Sequence, residues 1–282
     1  MKVKHITEKM VSAYVQHLKK EEKSEATIEK YVRDVKGYLI YAGKFGGASK
    51  ETAIEYKQLL IEKGYAVRSI NSIIASLNSF FIFIGKEEFA VKAIKMQKEI
   101  FRPEEKELTK AEYLRLCRAA EMKKNRRLSL LLQTICGTGI RVSELEYITV
   151  DAVRRGVAHV ECKGKAREVF IVRELQKKLL KYISEQKISG GCIFITRSGR
   201  AMSRTNIWRE MKSLCEQANV NPTKVFPHNL RHLFARVFYG IEKDIAKLAD
   251  ILGHSSINTT RIYIISTGTE HRKHMENMRL II

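Results

Sequence analysis

Gly137-Thr-Gly-Ile-Arg-Val-Ser-Glu-Leu145 decides how the second half of the chain is read. Before it lies an apolar run with Leu128, Leu130, Leu131, Leu132 and Ile135, which predicts a buried helix over about 126–136 that stops at Gly137. Gly137 and Gly139 permit a sharp turn at that helix end. The turn is expected to aim Arg141 into a cleft. Glu144 follows one helical turn later, in reach of Arg141 or of a neighbouring histidine. A planar guanidinium fork matches two oxygens of a phosphate, so Arg141 is a candidate anion ligand.

Outward from this stretch, the spacing predicts a mostly α chain with a small antiparallel β-sheet. Thr109-Lys-Ala-Glu112 is a capping-box match ahead of an apolar helix. Residues 157–162 and 167–172 read as a β-hairpin around Lys163-Gly-Lys-Ala166. Helices are expected near 174–187, 204–218, 228–239, 243–252 and 257–265. Residues 107–282 thus form one mixed domain.

Residues 1–88 read as an all-α bundle of four short helices. The first carries Val11, Tyr14, Val15 and Leu18 on one face, the second Ile28, Tyr31, Val32, Val35 and Leu39. Ser49 is expected to cap a third helix with Ile54, Leu60 and Ile61 facing inward. Ser69 is expected to cap a fourth, with Ile70, Ile73, Ile74, Leu77, Phe80 and Phe81 buried. Residues 89–106 are charge-rich, contain Pro103 and read as a linker. Its Lys92, Lys95, Lys98 and Arg102 suit either a strap along a phosphate backbone or a solvated connector.

Of the 282 residues, 52 are basic and 31 acidic, a net charge of +21. Residues 1–102 hold 19 basic and 12 acidic side chains, and residues 103–282 hold 33 and 19, so both parts are positive. A balance this basic points to a polyanion partner, nucleic acid first. The five cysteines form no Cys-x-x-Cys pair, which argues against a zinc site and fits a reducing compartment. No apolar stretch is long enough to span a bilayer, and the first residues lack a signal core. The expected location is the cytoplasm, at the nucleoid.

Three further clusters follow the first: His228-Asn-Leu-Arg-His232, Leu252-Gly-His254 and Thr259-Thr-Arg-Ile-Tyr263. His228 and Arg231 are spaced i, i+3 at a helix start behind Pro227, where free N–H groups also favour an anion. His232 is expected to point elsewhere, either packing or supporting a neighbouring site residue. Leu230, Leu233, Phe234, Val237 and Phe238 are expected to bury the rest of that helix.

Taken in order, these clusters resemble those of the tyrosine recombinase, or phage integrase, family over the whole chain. The likeness is strongest to compact two-domain members such as Xer recombinases and mobile-element integrases. The resemblance implies a helical core-binding, SAM-like domain ahead of a catalytic domain. It marks Arg141, His228, Arg231, His254 and Tyr263 as catalytic, with Glu144 in support. Lys163 of Cys162-Lys-Gly164 matches the family's hairpin lysine, with Cys162 where a glycine is usual and Lys165 as the alternative. The implied activity is site-specific cleavage and rejoining of duplex DNA through a 3′-phosphotyrosyl bond. Tyr263 attacks, the arginines neutralise charge, Lys163 serves as general acid, His228 handles the tyrosine proton, and His254 hydrogen-bonds the phosphate. No metal and no cofactor is implied. The implied partners are two DNA sites and a homotetramer formed on them from free monomers or weak oligomers. The terminal stretch from Met275 to Ile282 packs either in cis or on a neighbouring subunit. Alternatives are a type IB-like topoisomerase and a catalytically silent DNA-binding regulator.

Overall fold

The structure is a computed structural model that describes residues 6–96, 104–162, 165–264, 272 and 275–278. Lys98, Arg102 and Lys163 lie outside the described residues. The chain divides into two compact units, Met1–Lys98 and Glu99–Ile282. Among the described residues no helix is long and apolar enough to cross a membrane.

The first unit consists of α1 (Glu8–Lys20), α2 (Glu25–Gly43), α3 (Lys50–Glu62) and α4 (Val67–Phe83). Tyr14, Leu18, Val35, Tyr38, Ile70, Leu77, Phe80 and Phe81 form its core. Ser49 caps α3 through a box shared with Thr52. That cap sets the helix phase, and the buried face carries Thr52, Ala53 and Leu60. Ile54 and Ile61, expected inside, are 47% and 41% exposed. They lie one position round the helix from Ala53 and Leu60, about 100° off the buried stripe. Ser69 is not a cap: α4 starts two residues earlier, behind Ala66, which has no capping side chain.

The packing of this unit runs past residue 88. Phe89 and Val91 are buried against α4 and its neighbours. Asn78 receives the Val91 N–H and donates to the Val91 carbonyl, both at 2.9 Å. Asn71, two turns away on α4, does the same for Ile94 at 2.8 and 2.9 Å. Each asparagine thus mimics a strand partner for an extended segment. Lys92 and Lys95 point their side chains to solvent from it.

The second unit begins with α5 (Lys110–Met122), capped by the Thr109–Glu112 box, and α6 (Arg126–Thr138). A 3-10 turn (Val142–Tyr147) and α7 (Val150–Arg155) lead to β1 (Val157–Cys162) and β2 (Lys165–Phe170). These strands pair antiparallel with Val157 opposite Phe170 and Cys162 opposite Lys165. The second strand starts two residues earlier than its apolar alternation predicts. Then come α8 (Arg173–Glu185), α9 (Arg204–Lys212), α10 (Cys215–Ala218), α11 (Pro227–Glu242), α12 (Ile245–Leu252) and α13 (Ile257–Arg261). Where one helix is expected over 204–218, two form, because the chain turns at Ser213-Leu214 to bury Leu214 and Cys215. On α11, Leu230 and Leu233 are buried as expected, but Val237 is 43% exposed.

Helix α6 continues through Gly137 and ends at Gly139, which has φ +65°. The left-handed cap therefore sits two residues beyond the predicted stop. A Cβ on Gly139 would stand 2.5 Å from Phe234 Cδ1 and 3.1 Å from Leu252 Cδ2. This turn is thus the seat on which α11 and α12 rest. Gly139→Ala is expected to lower the unfolding free energy by about 1–2 kcal/mol from backbone strain alone, with a further loss from the displaced ring, measured by urea denaturation.

Candidate active site

Helix α12 is nucleated by Asp244, whose Oδ1 accepts the Ala246 and Lys247 N–H groups at 2.8 and 3.0 Å. It ends at Gly253 with φ +63°. The last carbonyls of a helix lack partners of their own and carry its negative dipole end. Here three arginines from three elements occupy them. Arg167 on β2 donates from Nη1 to Ile251 O at 3.1 Å. Arg231 on α11 donates from Nη2 to Leu252 O at 2.7 Å. Arg141, at the start of the 3-10 turn, donates from Nη2 to Gly253 O at 3.2 Å. Residues more than a hundred positions apart are brought together by one helix end.

Glu144 supplies the counter-charge. Its Oε1 accepts from Arg141 Nη1 at 2.8 Å, and its Oε2 accepts the Arg141 backbone N–H at 2.9 Å and Arg167 Nη2 at 2.6 Å. Burial opposes its ionisation, but the bonds from Arg141 and the charge of Arg167 outweigh that and hold the carboxyl below its usual range. Three guanidinium charges against one carboxylate leave a surplus of two positive charges. Arg167 had no signal in sequence: an arginine in a strand of mixed polarity is ordinary, and only the fold shows where it points.

Arg231 is 2% exposed. It also donates through Nη1 to Gly139 O, tying α11 to the turn that presents Arg141. Its Nε is buried without an acceptor among the described residues. Burial, then the charge of Arg141, pull its pKa down to about 10, which still leaves it cationic at neutral pH.

His254 Nε2 lies 3.0 Å from Arg231 Nη2, and Nδ1 lies 2.9 Å from Thr260 Oγ1. A guanidinium only donates, so Nε2 accepts and the ring proton sits on Nδ1, donated to buried Thr260. The ring is therefore neutral. Burial, followed by the charges of Arg231, Arg141 and Arg167, lowers its pKa to about 4.

Tyr263 is buried, 7% exposed. Its ring stacks on His232 at 4.1 Å between centroids with planes 20° apart, and meets His228 at 5.3 Å and His254 at 5.2 Å. The Arg231 guanidinium carbon is 5.9 Å from the ring centre. His232 is thus a packing residue, as expected, but it points toward Tyr263 rather than elsewhere. His228, exposed at the start of α11, lines a cleft of about 550 Å³ with Arg141, Arg231, Arg204 and Trp208. Its walls are largely apolar, with Ile140, Val142, Phe226 and Trp208, and set three guanidinium groups among them, as a specific anion site does. Among the sequence-derived residues, Arg141, Glu144, His228, Arg231, His254 and Tyr263 converge in this one unit. Lys165 contributes backbone to β2, opposite Cys162. Lys92 and Lys95 belong to the first unit.

The neutral His254 has a pH signature. In an unfolded chain an imidazole titrates near about 6.5, whereas the folded ring does so at about 4. The unfolded state therefore binds the extra proton between those values. The stabilisation is complete above the upper value and is lost as pH falls toward the lower. Histidine NMR should show a ring neutral down to about pH 4, and His254→Asn should flatten the acid slope of stability over that window.

Residues 106–270 match the model of the phage integrase family, and residues 11–88 that of the phage integrase N-terminal SAM-like domain. The chain is 30% identical over 270 residues to a protein named tyrosine recombinase XerD from Staphylococcus haemolyticus, covering 89% of this chain and 91% of that one. It is 30% identical over 280 residues to tyrosine recombinase XerA from Thermococcus kodakarensis, covering 96% of each. Two solved structures share the fold, each with a TM-score of 0.73 at 18% identity. One is the Tn1549 transposon integrase in complex with transposon right end DNA, with 95% of this chain and 98% of that one covered. The other is a lambda integrase dimer bound to a COC′ core site, with 92% and 95% covered. Kinship over nearly the whole length and the clustered arginines, histidines and tyrosine agree: the chain belongs to the phage integrase family, beside proteins named as tyrosine recombinases.

Proposed function

We propose that the protein is a site-specific DNA recombinase that cuts and rejoins duplex DNA through a 3′-phosphotyrosyl bond in this cleft. The observation that carries the reading is the meeting of Arg141, Arg231 and His254 at one helix end, in ring contact with Tyr263. A surplus of two positive charges suits a phosphodiester whose charge grows by one as a fifth oxygen adds to phosphorus. The unsatisfied Arg231 Nε is a donor that a phosphate oxygen would satisfy.

In the reaction the Tyr263 phenol oxygen attacks phosphorus and its proton passes toward His228. The phosphorus–5′-oxygen bond breaks, and the leaving oxygen takes a proton from Lys163. The DNA is left joined to Tyr263 through its 3′-phosphate. An incoming 5′-hydroxyl reverses the step, and the ester bond energy is kept throughout. His254 holds Arg231 in place through Nε2, because its only N–H is already given to Thr260. It is thus a support for Arg231 rather than the direct phosphate donor expected from sequence.

DNA is what the Tn1549 and lambda integrases are bound to in the structures named above. Here the net charge of +21 suits the same partner, with affinity that falls steeply with salt. Exchange between two duplexes needs four strand cuts. With one Tyr263 per chain, that calls for four protomers on two sites. Such exchange underlies the movement of a mobile element as much as the resolution of a dimer.

A duplex whose 5′ fragment diffuses away after nicking traps the covalent intermediate. The wild-type protein is expected to form a complex that survives denaturing gel electrophoresis, and Tyr263→Phe to form none. Arg141→Ala and Arg231→Ala should each slow formation by about 10²–10³-fold. Free DNA ends without attached protein would instead mark a nuclease.

A further inference from the structure

The guanidinium of Arg167 lies behind the cleft rather than in its lining, with its side chain 11% exposed. It joins two things that hold Arg141. Its Nη2 is 2.6 Å from Glu144 Oε2, and that same oxygen accepts the Arg141 backbone N–H. Its Nη1 reaches Ile251 O, two residues before the carbonyl that accepts from Arg141. Gly253 leaves it room: a Cβ there would stand 2.3 Å from Arg167 Cδ. Glu144 is itself 2% exposed in its side chain. Without Arg167, this buried carboxylate keeps one guanidinium partner and the end of α12 loses one of its three donors. Arg167 also belongs to β2, which with β1 flanks residues 163–164, so the hairpin is tied to Glu144 by the same side chain.

We propose that Arg167 is a positioning residue for strand cleavage: it fixes Glu144 and the end of α12, and through them the guanidinium of Arg141. The proposal rests on the recombinase reading above. A residue that acts only through Arg141 has a distinctive thermodynamic mark. Once Arg141 is gone, removing it costs nothing more in the chemical step.

The test is single-turnover cleavage of the trapping duplex by full-length protein, with duplex affinity measured separately by fluorescence anisotropy. Arg167→Ala is expected to cleave about 10²-fold more slowly, the scale of a small displacement of a catalytic group, at unchanged affinity. The double variant Arg141→Ala, Arg167→Ala should cleave no more slowly than Arg141→Ala alone. Gly253→Ala, which crowds Arg167 from the other side, should repeat the slow phenotype. If Arg167→Ala does not fold, as judged by circular dichroism, Arg167→Lys carries the same test, since a point cation cannot serve both acceptors. Wild-type cleavage rates in the Arg167 variants, penalties that multiply in the double variant, or a loss confined to affinity would each overturn the proposal alone. A wild-type protein that forms no covalent complex would overturn the recombinase reading and this proposal with it.

Discussion

The candidate site depends on a match between orphan carbonyls and surplus guanidinium groups. An α-helix must leave its last carbonyls unpaired. Arginine must find acceptors when buried. At the end of α12 each requirement meets the other three times over, at Ile251, Leu252 and Gly253. Neither half is stable in isolation. Three cations in one half-buried place repel each other, and burial first, then the charge of Arg141, lowers the pKa of Arg231. The helix dipole and Glu144 offset only part of that repulsion. What is left over is a standing attraction for an anion, built in before any anion arrives.

Much of this was legible in the chain. The cap at Ser49, the capping box at Thr109 and the apolar faces of α1 and α2 follow from local rules, and the structure agrees with them. Three of the four candidate clusters were legible for a different reason: each sits at an element boundary marked by glycine or proline. Arg141 follows Gly139, His228 follows Pro227, and His254 follows Gly253. What was hidden lay inside regular elements. Arg167 sits in a strand, and its importance comes from what faces it across the fold. Ile54 and Ile61 were misplaced because two adjacent phases of α3 both carry apolar residues. Only packing against α2 and α4 chooses between them. The role of His254 also required coordinates, since the proton's place is set by Arg231 and Thr260 together.

The first unit solves a smaller version of the same problem. Among the described residues, the stretch after Phe89 pairs with no strand. Asn71 and Asn78 act as its partner strand, two turns apart on one helix. Lys92 and Lys95 are thereby presented from a fixed backbone. A cation held this way loses less freedom on meeting a phosphate than one on a loose tether.

Helix α12 has only eight residues. Short helices fray from their ends, and local opening costs far less than melting a whole domain. Because all three arginines are anchored on the same terminal turn, one fraying event would release them together. The geometry of the candidate site is therefore graded by the integrity of a single turn, and the buried core around Leu131 and Ile135 can outlast it. An occupied anion site would splint that turn from outside, so that substrate and scaffold hold one another in shape.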